Sequence, residues 1–168
     1  VEPNATLTIN KGCQIYFHKN SGIIVGNPLL AENGGTLKIE GELNNEVLFQ
    51  GDRLDEWYEN VAGQWDRIWL TPGSVQNEVN YAIIRNGTVG LHADTIGEPI
   101  GNNNPTLTVK NTIIENISDI GIFAQGSYVV GENNVINDCG RYAMVLNIGG
   151  TYDFKHSTFA NYWSFSSR

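Results

Sequence analysis

The chain has 168 residues, enough for one domain with a sizeable core, and no Pro-, Gly- or Ser-rich linker divides it. Its formal net charge is −8, and Asp52, Asp55, Glu56, Glu59 and Asp66 fall within fifteen residues that hold one base, Arg53; with no basic stripe elsewhere, a phosphate backbone would be repelled, which excludes sequence-independent nucleic-acid binding. No apolar run reaches the roughly eighteen residues a transmembrane helix needs.

Short β-branched runs separated by turn residues dominate from the start. Thr6-Leu7-Thr8-Ile9, Gln14-Ile15-Tyr16-Phe17 and Gly22-Ile23-Ile24-Val25 are spaced as three sides of one coil. Thr36-Leu37-Lys38-Ile39, Val47-Leu48-Phe49 and Ile68-Trp69-Leu70 read as the next, with Trp69 assigned to the core. Between the last two lies an insertion, residues 51–64. A second, 94–105, carries Gly97, Gly101 and Asn102-Asn103-Asn104 and reads as an irregular loop. No stretch keeps apolar residues at helical spacing without a glycine or asparagine break, so little or no long helix is expected.

The second half repeats itself. The stretch from Asn111 recurs 22 residues later at Asn133, 23 further on at His156, and 30 earlier at Tyr81. Ile84, Ile114, Ile136 and Phe159 form one column of large apolar residues, the stacked core of a solenoid. Two positions on, Asn86, Asn116, Asp138 and Asn161 form a second column at a turn; amide side chains both donate and accept, so an internal asparagine ladder is expected. Each coil then resumes with a small residue and an apolar strand, as in Gly90-Leu91, Gly121-Ile122 and Ala143-Met144. The predicted fold is all-β: a right-handed parallel β-helix of about six coils with an internal Asn ladder and two loop insertions, forming a single domain over 1–168. A left-handed helix of hexapeptides would require an aliphatic residue every sixth position, which the sequence lacks.

Together, Leu7-Thr8-Ile9, Lys11-Gly12-Cys13, Ile15-Tyr16-Phe17-His18, Gly51-Asp52-Arg53, Gly63-Gln64-Trp65 and His156-Ser157-Thr158-Phe159-Ala160-Asn161-Tyr162-Trp163 resemble the pectate-lyase-like β-helix superfamily. They are more similar still to a largely uncharacterised group of surface or secreted β-helix proteins from Bacteroidetes. The resemblance implies an extracytoplasmic location and a helix that continues past Arg168. The start at Val1, with neither signal peptide nor initiator methionine, likewise suggests a mature product or an excised segment.

Loops that depart from a solenoid are where function is expected. The candidate ligand-binding residues are Arg53, Trp57, Tyr58 and Trp65, the aromatics offering flat faces and the arginine and acids hydrogen bonds to a sugar or a protein. The structural alternative folds Trp57 and Tyr58 back over the coil edge and pairs Arg53 with a local carboxylate. No catalytic residue, metal ligand or cofactor is assigned. The polygalacturonase-type clusters are absent, and a catalytic pair of carboxylates needs two acids at a fixed separation on one face, which the sequence does not set for Asp94, Glu115 or Asp119. His18, His92 and His156 occur singly, without ligand spacing, and His156 shares a structural column with Tyr81, Asn111 and Asn133. Cys13 and Cys139 stand about four coils apart, roughly 19 Å at about 4.8 Å per coil, too far to bridge, so two free, buried thiols are expected.

Of three Asn-x-Ser/Thr sequons, at Asn4, Asn86 and Asn116, the last two fall in the inward column, and Asp94-Thr95-Ile96 is similar to a short Bacteroidetes O-glycosylation signal. The functional expectation is a non-catalytic cell-surface or secreted module that binds protein or glycan through its loops, or serves as a rigid spacer within a larger assembly. Its open helix ends should meet a partner protein or continuing chain. The alternative is a polysaccharide lyase or glycoside hydrolase acting on an acidic glycan.

Overall fold

The computed structural model describes residues 1–28, 34–94 and 104–161. Those residues contain seventeen strands and no helix. In chain order they are β1 (Thr6–Asn10), β2 (Gln14–Phe17), β3 (Ile23–Val25), β4 (Thr36–Glu40), β5 (Val47–Gly51) and β6 (Ile68–Leu70). Next come β7 (Asn77–Asn80), β8 (Ala82–Arg85), β9 (Val89–Asp94), β10 (Leu107–Lys110), β11 (Ile113–Ile117) and β12 (Ile120–Gln125). The last are β13 (Tyr128–Glu132), β14 (Val135–Cys139), β15 (Tyr142–Asn147), β16 (Thr151–Lys155) and β17 (Thr158–Ala160).

Each strand pairs in parallel with the strand three places on. The first sheet is therefore β1-β4-β7-β10-β13-β16, the second β2-β5-β8-β11-β14-β17, and the third β3-β6-β9-β12-β15. Three strands make one circuit, which is the winding of a parallel β-solenoid. Residues 95–103, with Thr95 and Ile96 of the glycosylation signal, lie outside the described residues, as do Tyr162 and Trp163.

Strand alternation sends every second side chain inwards, and stacked copies of the same position make the core. Ile84, Ile114, Ile136 and Phe159 are in register, as the repeat predicts. The first three are fully buried, whereas Phe159, on an outermost strand, is exposed. The small residues opening the third sheet have a steric cause: a Cβ at Gly121 would stand 2.5 Å from Ile136 Cγ2, and one at Gly90 2.6 Å from Ile114 Cγ2.

The turn columns hold the chain in the left-handed region. Tyr81, Asn111, Asn133 and His156 have φ of 49°, 49°, 55° and 50°, and Asn86, Asn116 and Asp138 have 65°, 50° and 49°. Asparagine and aspartate tolerate that conformation better than other side chains because they bond locally to the backbone. Asn116 Nδ2 donates to Asn86 Oδ1 at 2.8 Å, while Asn161 Oδ1 accepts from the Cys139 amide at 2.8 Å. In the other column, Asn133 Nδ2 donates to Asn111 Oδ1 and Asn111 Nδ2 to Asn80 Oδ1, each at 2.8 Å.

A further polar column, not foreseen from the repeat, runs one position after Asn111 and Asn133. The Ala82 amide donates to Thr112 Oγ1 (3.4 Å), the Thr112 amide to Asn134 Oδ1 (3.1 Å) and the Asn134 amide to Ser157 Oγ (3.2 Å). Thr112 and Asn134 are buried, so these side chains satisfy amides that water cannot reach.

Two expectations are corrected. Cys13 is exposed, because it lies in the connection into β2, an outermost strand with a neighbour on one side only; Cys139 is buried, and both thiols are free. Trp69 faces outwards, because Ile68 and Leu70 on either side of it are both fully buried. The first sheet presents charged pairs to solvent, among them Lys38–Glu78 and Lys110–Glu132. No helix of the described residues is long and apolar enough to cross a membrane.

Candidate interaction site on the 51–64 insertion

The insertion leaves the second sheet at the end of β5 and returns to the third at β6. Its exit and return are stitched together. Gly51 is buried, and a Cβ there would stand 2.3 Å from Gln64 Oε1, so only glycine allows the two to meet. The Asp52 amide donates to the Phe17 carbonyl (2.9 Å) and the Gln64 amide to the Asn86 carbonyl (2.8 Å). Within the insertion, the Tyr58 and Glu59 amides both donate to the Asp55 carbonyl (2.8 and 3.1 Å), closing a tight turn.

Two side chains then clamp that turn to the solenoid. Gln64 Nε2 donates to the carbonyls of Tyr58 (2.6 Å) and Val61 (2.9 Å), and Asn86 Nδ2 to that of Glu59 (2.8 Å). Asn86 thus belongs at once to a turn column and to the anchoring of the insertion.

The four candidate residues separate into three environments. Trp65 is 1 % exposed. Its ring stacks on Phe17 with centroids 4.4 Å apart, and its Nε1 donates to the Arg85 carbonyl at 2.9 Å. It offers no face to a ligand, because Trp65 bridges to Gly87, whose missing side chain leaves room for the indole. Arg53 and Tyr58 are engaged with each other, the guanidinium carbon lying 3.3 Å from the centre of the ring, a cation–π contact. Trp57 projects into solvent at 87 % exposure. Of the structural alternative, Trp57 does not fold back and Arg53 meets an aromatic face rather than a carboxylate, while Tyr58 is half-buried.

Leu54 and Val61, 60 % and 41 % exposed, share the insertion with Trp57. Their signal was available in the sequence, as apolar residues inside an acidic stretch, but the aromatic residues drew the prediction. Among the described residues, Asp55, Glu56 and Glu59 have no ion-pair partner, whereas Asp66 pairs with Arg67 (2.9 Å) and Asp52 with His18 Nδ1 (2.7 Å). The insertion therefore displays three apolar side chains on a preorganised loop, amid uncompensated negative charge.

Elsewhere, the outer face of the third sheet carries an aromatic column. Trp69 stacks on His92 (centroids 5.5 Å apart, planes at 2°) and His92 on Phe123 (4.7 Å, 18°). Arg67 Nη1 faces His92 Nδ1 at 3.4 Å, so that nitrogen accepts and the ring proton sits on Nε2, 3.2 Å from Gln125 Oε1. Burial lowers the His92 pKa, the Gln125 bond opposes this, and the Arg67 charge adds to the lowering.

Asp94 ends β9 in register with Gln125 in the third sheet, Glu115 lies in register with Arg85 in the second, and Asp119 is held by both Arg141 Nε and Nη2. No group of three or more His, Cys, Asp or Glu among the described residues is placed to hold a metal ion. A pocket of about 220 Å³ lined by Ser74, Val75, Gln76, Asn104, Pro105 and Thr106 contains no ionisable side chain. Comparison with protein families, curated proteins and solved structures finds no match to this chain.

Proposed function

We propose that the chain is a non-catalytic, extracytoplasmic module, wound as a right-handed parallel β-helix of about six coils, that binds a protein or glycan through its 51–64 insertion. It serves in a cell-surface or secreted assembly. The observation that carries this reading is Trp57, held 87 % exposed on a loop whose backbone is pinned by Gln64 and Asn86. An isolated exposed apolar residue needs no explanation, but a tryptophan displayed on an ordered loop that also exposes Leu54 and Val61 has the composition of an interface anchor. Pinning lowers the entropy lost on binding. The extracytoplasmic placement rests on the resemblance carried by the residues quoted above.

The open ends belong to the same proposal. Among the described residues, β1, β2 and β3 at one end and β15, β16 and β17 at the other have a strand neighbour on one side only. Such edges are covered by caps, a continuing chain or another protein.

The test is solid-phase binding of the full chain and its Trp57→Ala variant to arrayed neutral and acidic polysaccharides and to a displayed peptide library. At least one class of probe should bind wild type and lose the variant while its circular dichroism is unchanged. If no probe distinguishes the two proteins the reading fails, and if reducing ends or unsaturated sugars accumulate on the acidic polysaccharides the lyase or hydrolase alternative replaces it.

A further inference from the structure

We infer that the occupant of the 51–64 insertion is a protein whose binding face is an apolar pocket rimmed by lysine or arginine. This inference rests on the binding reading above and narrows it. Three observations favour protein over glycan. A sugar ring is recognised on an open aromatic face flanked by hydrogen-bonding groups, yet one candidate face, Trp65, is buried, and Tyr58 is covered by Arg53 at 3.3 Å. What remains is Trp57 with two exposed aliphatic residues of the same insertion, Leu54 and Val61, whose side chains offer a sugar no hydrogen bond and suit instead a desolvated pocket. The only base of the insertion, Arg53, is turned onto the Tyr58 ring, and the nearby base His18 is engaged by Asp52.

The sign of the rim follows from charge complementarity. Asp55, Glu56 and Glu59 surround Trp57 in sequence, are exposed, and have no ion-pair partner among the described residues. The Asp55 carbonyl fixes the turn through the Tyr58 and Glu59 amides, so Glu59 is held on that turn beside Trp57. An acidic surface around an apolar anchor repels acidic partners and steers basic ones, a contribution that falls with ionic strength. The apolar anchor supplies most of the affinity and the rim sets the choice of partner.

The experiment pans a phage-displayed library of random cyclic peptides against the immobilised full chain, without counter-selection, and titrates recovered peptides by fluorescence anisotropy. The expected peptides carry net positive charge beside large apolar residues. Their affinity should fall about thirtyfold for Trp57→Ala. It should fall roughly tenfold between low and high salt, and less steeply for the Glu56→Gln, Glu59→Gln double variant. Peptides that are neutral or acidic, or whose binding ignores salt, overturn the basic rim. A glycan that binds wild type and not Trp57→Ala overturns the protein partner while leaving the broader binding reading intact. Peptides indifferent to Trp57→Ala, together with no such glycan, overturn both.

Discussion

Replacing Trp65 and Trp57 separately by alanine contrasts two tryptophans eight residues apart in sequence, one buried and one displayed. A fully buried tryptophan removes about 200 Å² from water, which at about 25 cal/mol per Å² is an upper figure near 5 kcal/mol, and core Trp→Ala changes cost about 3–5 kcal/mol. Trp65→Ala also empties the stack on Phe17, itself stacked on Phe49 at 6.3 Å, and leaves the Arg85 carbonyl without the indole donor. The expected loss is therefore about 4 kcal/mol, or roughly 10 °C in Tm for a chain of this size. Trp57→Ala removes no buried contact and should stay within about 0.5 kcal/mol of wild type. Urea titration followed by circular dichroism measures both. If Trp65→Ala costs under about 1 kcal/mol, or Trp57→Ala costs as much as Trp65→Ala, the placement of the two indoles on opposite sides of the coil wall is refuted.

Two further predictions concern the cysteines and the aromatic column. Under native conditions a thiol reagent should modify Cys13 alone, because Cys139 is buried and its pKa is pushed up to about 12 by desolvation; two equivalents should react only on unfolding, and rapid native labelling of both would contradict the buried site. Burial disfavours the charged form of His92 in the folded chain and the Arg67 charge adds to this, against the Gln125 hydrogen bond and the Asp94 and Asp66 charges, so its pKa is lowered. Above pH 6.5 both folded and unfolded chains are neutral at this ring; as pH falls below 6.5 the unfolded chain takes up a proton that the folded chain resists, so stability declines until the lowered folded pKa is reached. Tm measured from pH 7.5 to pH 5 should therefore fall more for wild type than for His92→Phe, which keeps a ring in the stack and removes the proton; parallel curves would show that His92 is not the group responsible.

The repeat was legible because a solenoid writes the same structural position into the chain once per coil. The alignment of Ile84, Ile114, Ile136 and Phe159 needed only a period and an apolar residue, and the structure pairs those residues in register. That Tyr81, Asn111, Asn133 and His156 share one column was legible for the same reason, although the residue types differ, and the structure gives them one turn conformation. The column through Thr112, Asn134 and Ser157 was not, because hydroxyl and carboxamide side chains do one task, offering an oxygen to an amide on the adjacent coil. Similarity of letters cannot reveal a column unified only by what faces it.

The facing of Trp69 was decidable from the sequence, since strict strand alternation sets it opposite Ile68 and Leu70. The fates of Trp57 and Trp65 were not. The sequence by itself determined that the chain winds as parallel strands with an interruption at 51–64, because period and alternation are local properties of the chain. Only the tertiary structure decided that Trp65 goes inside and Trp57 outside. That choice depends on Gly87 leaving space for the indole beside Phe17, and on Asn86 tying the loop backbone at Glu59 to the solenoid, contacts between residues of different coils that no local pattern encodes.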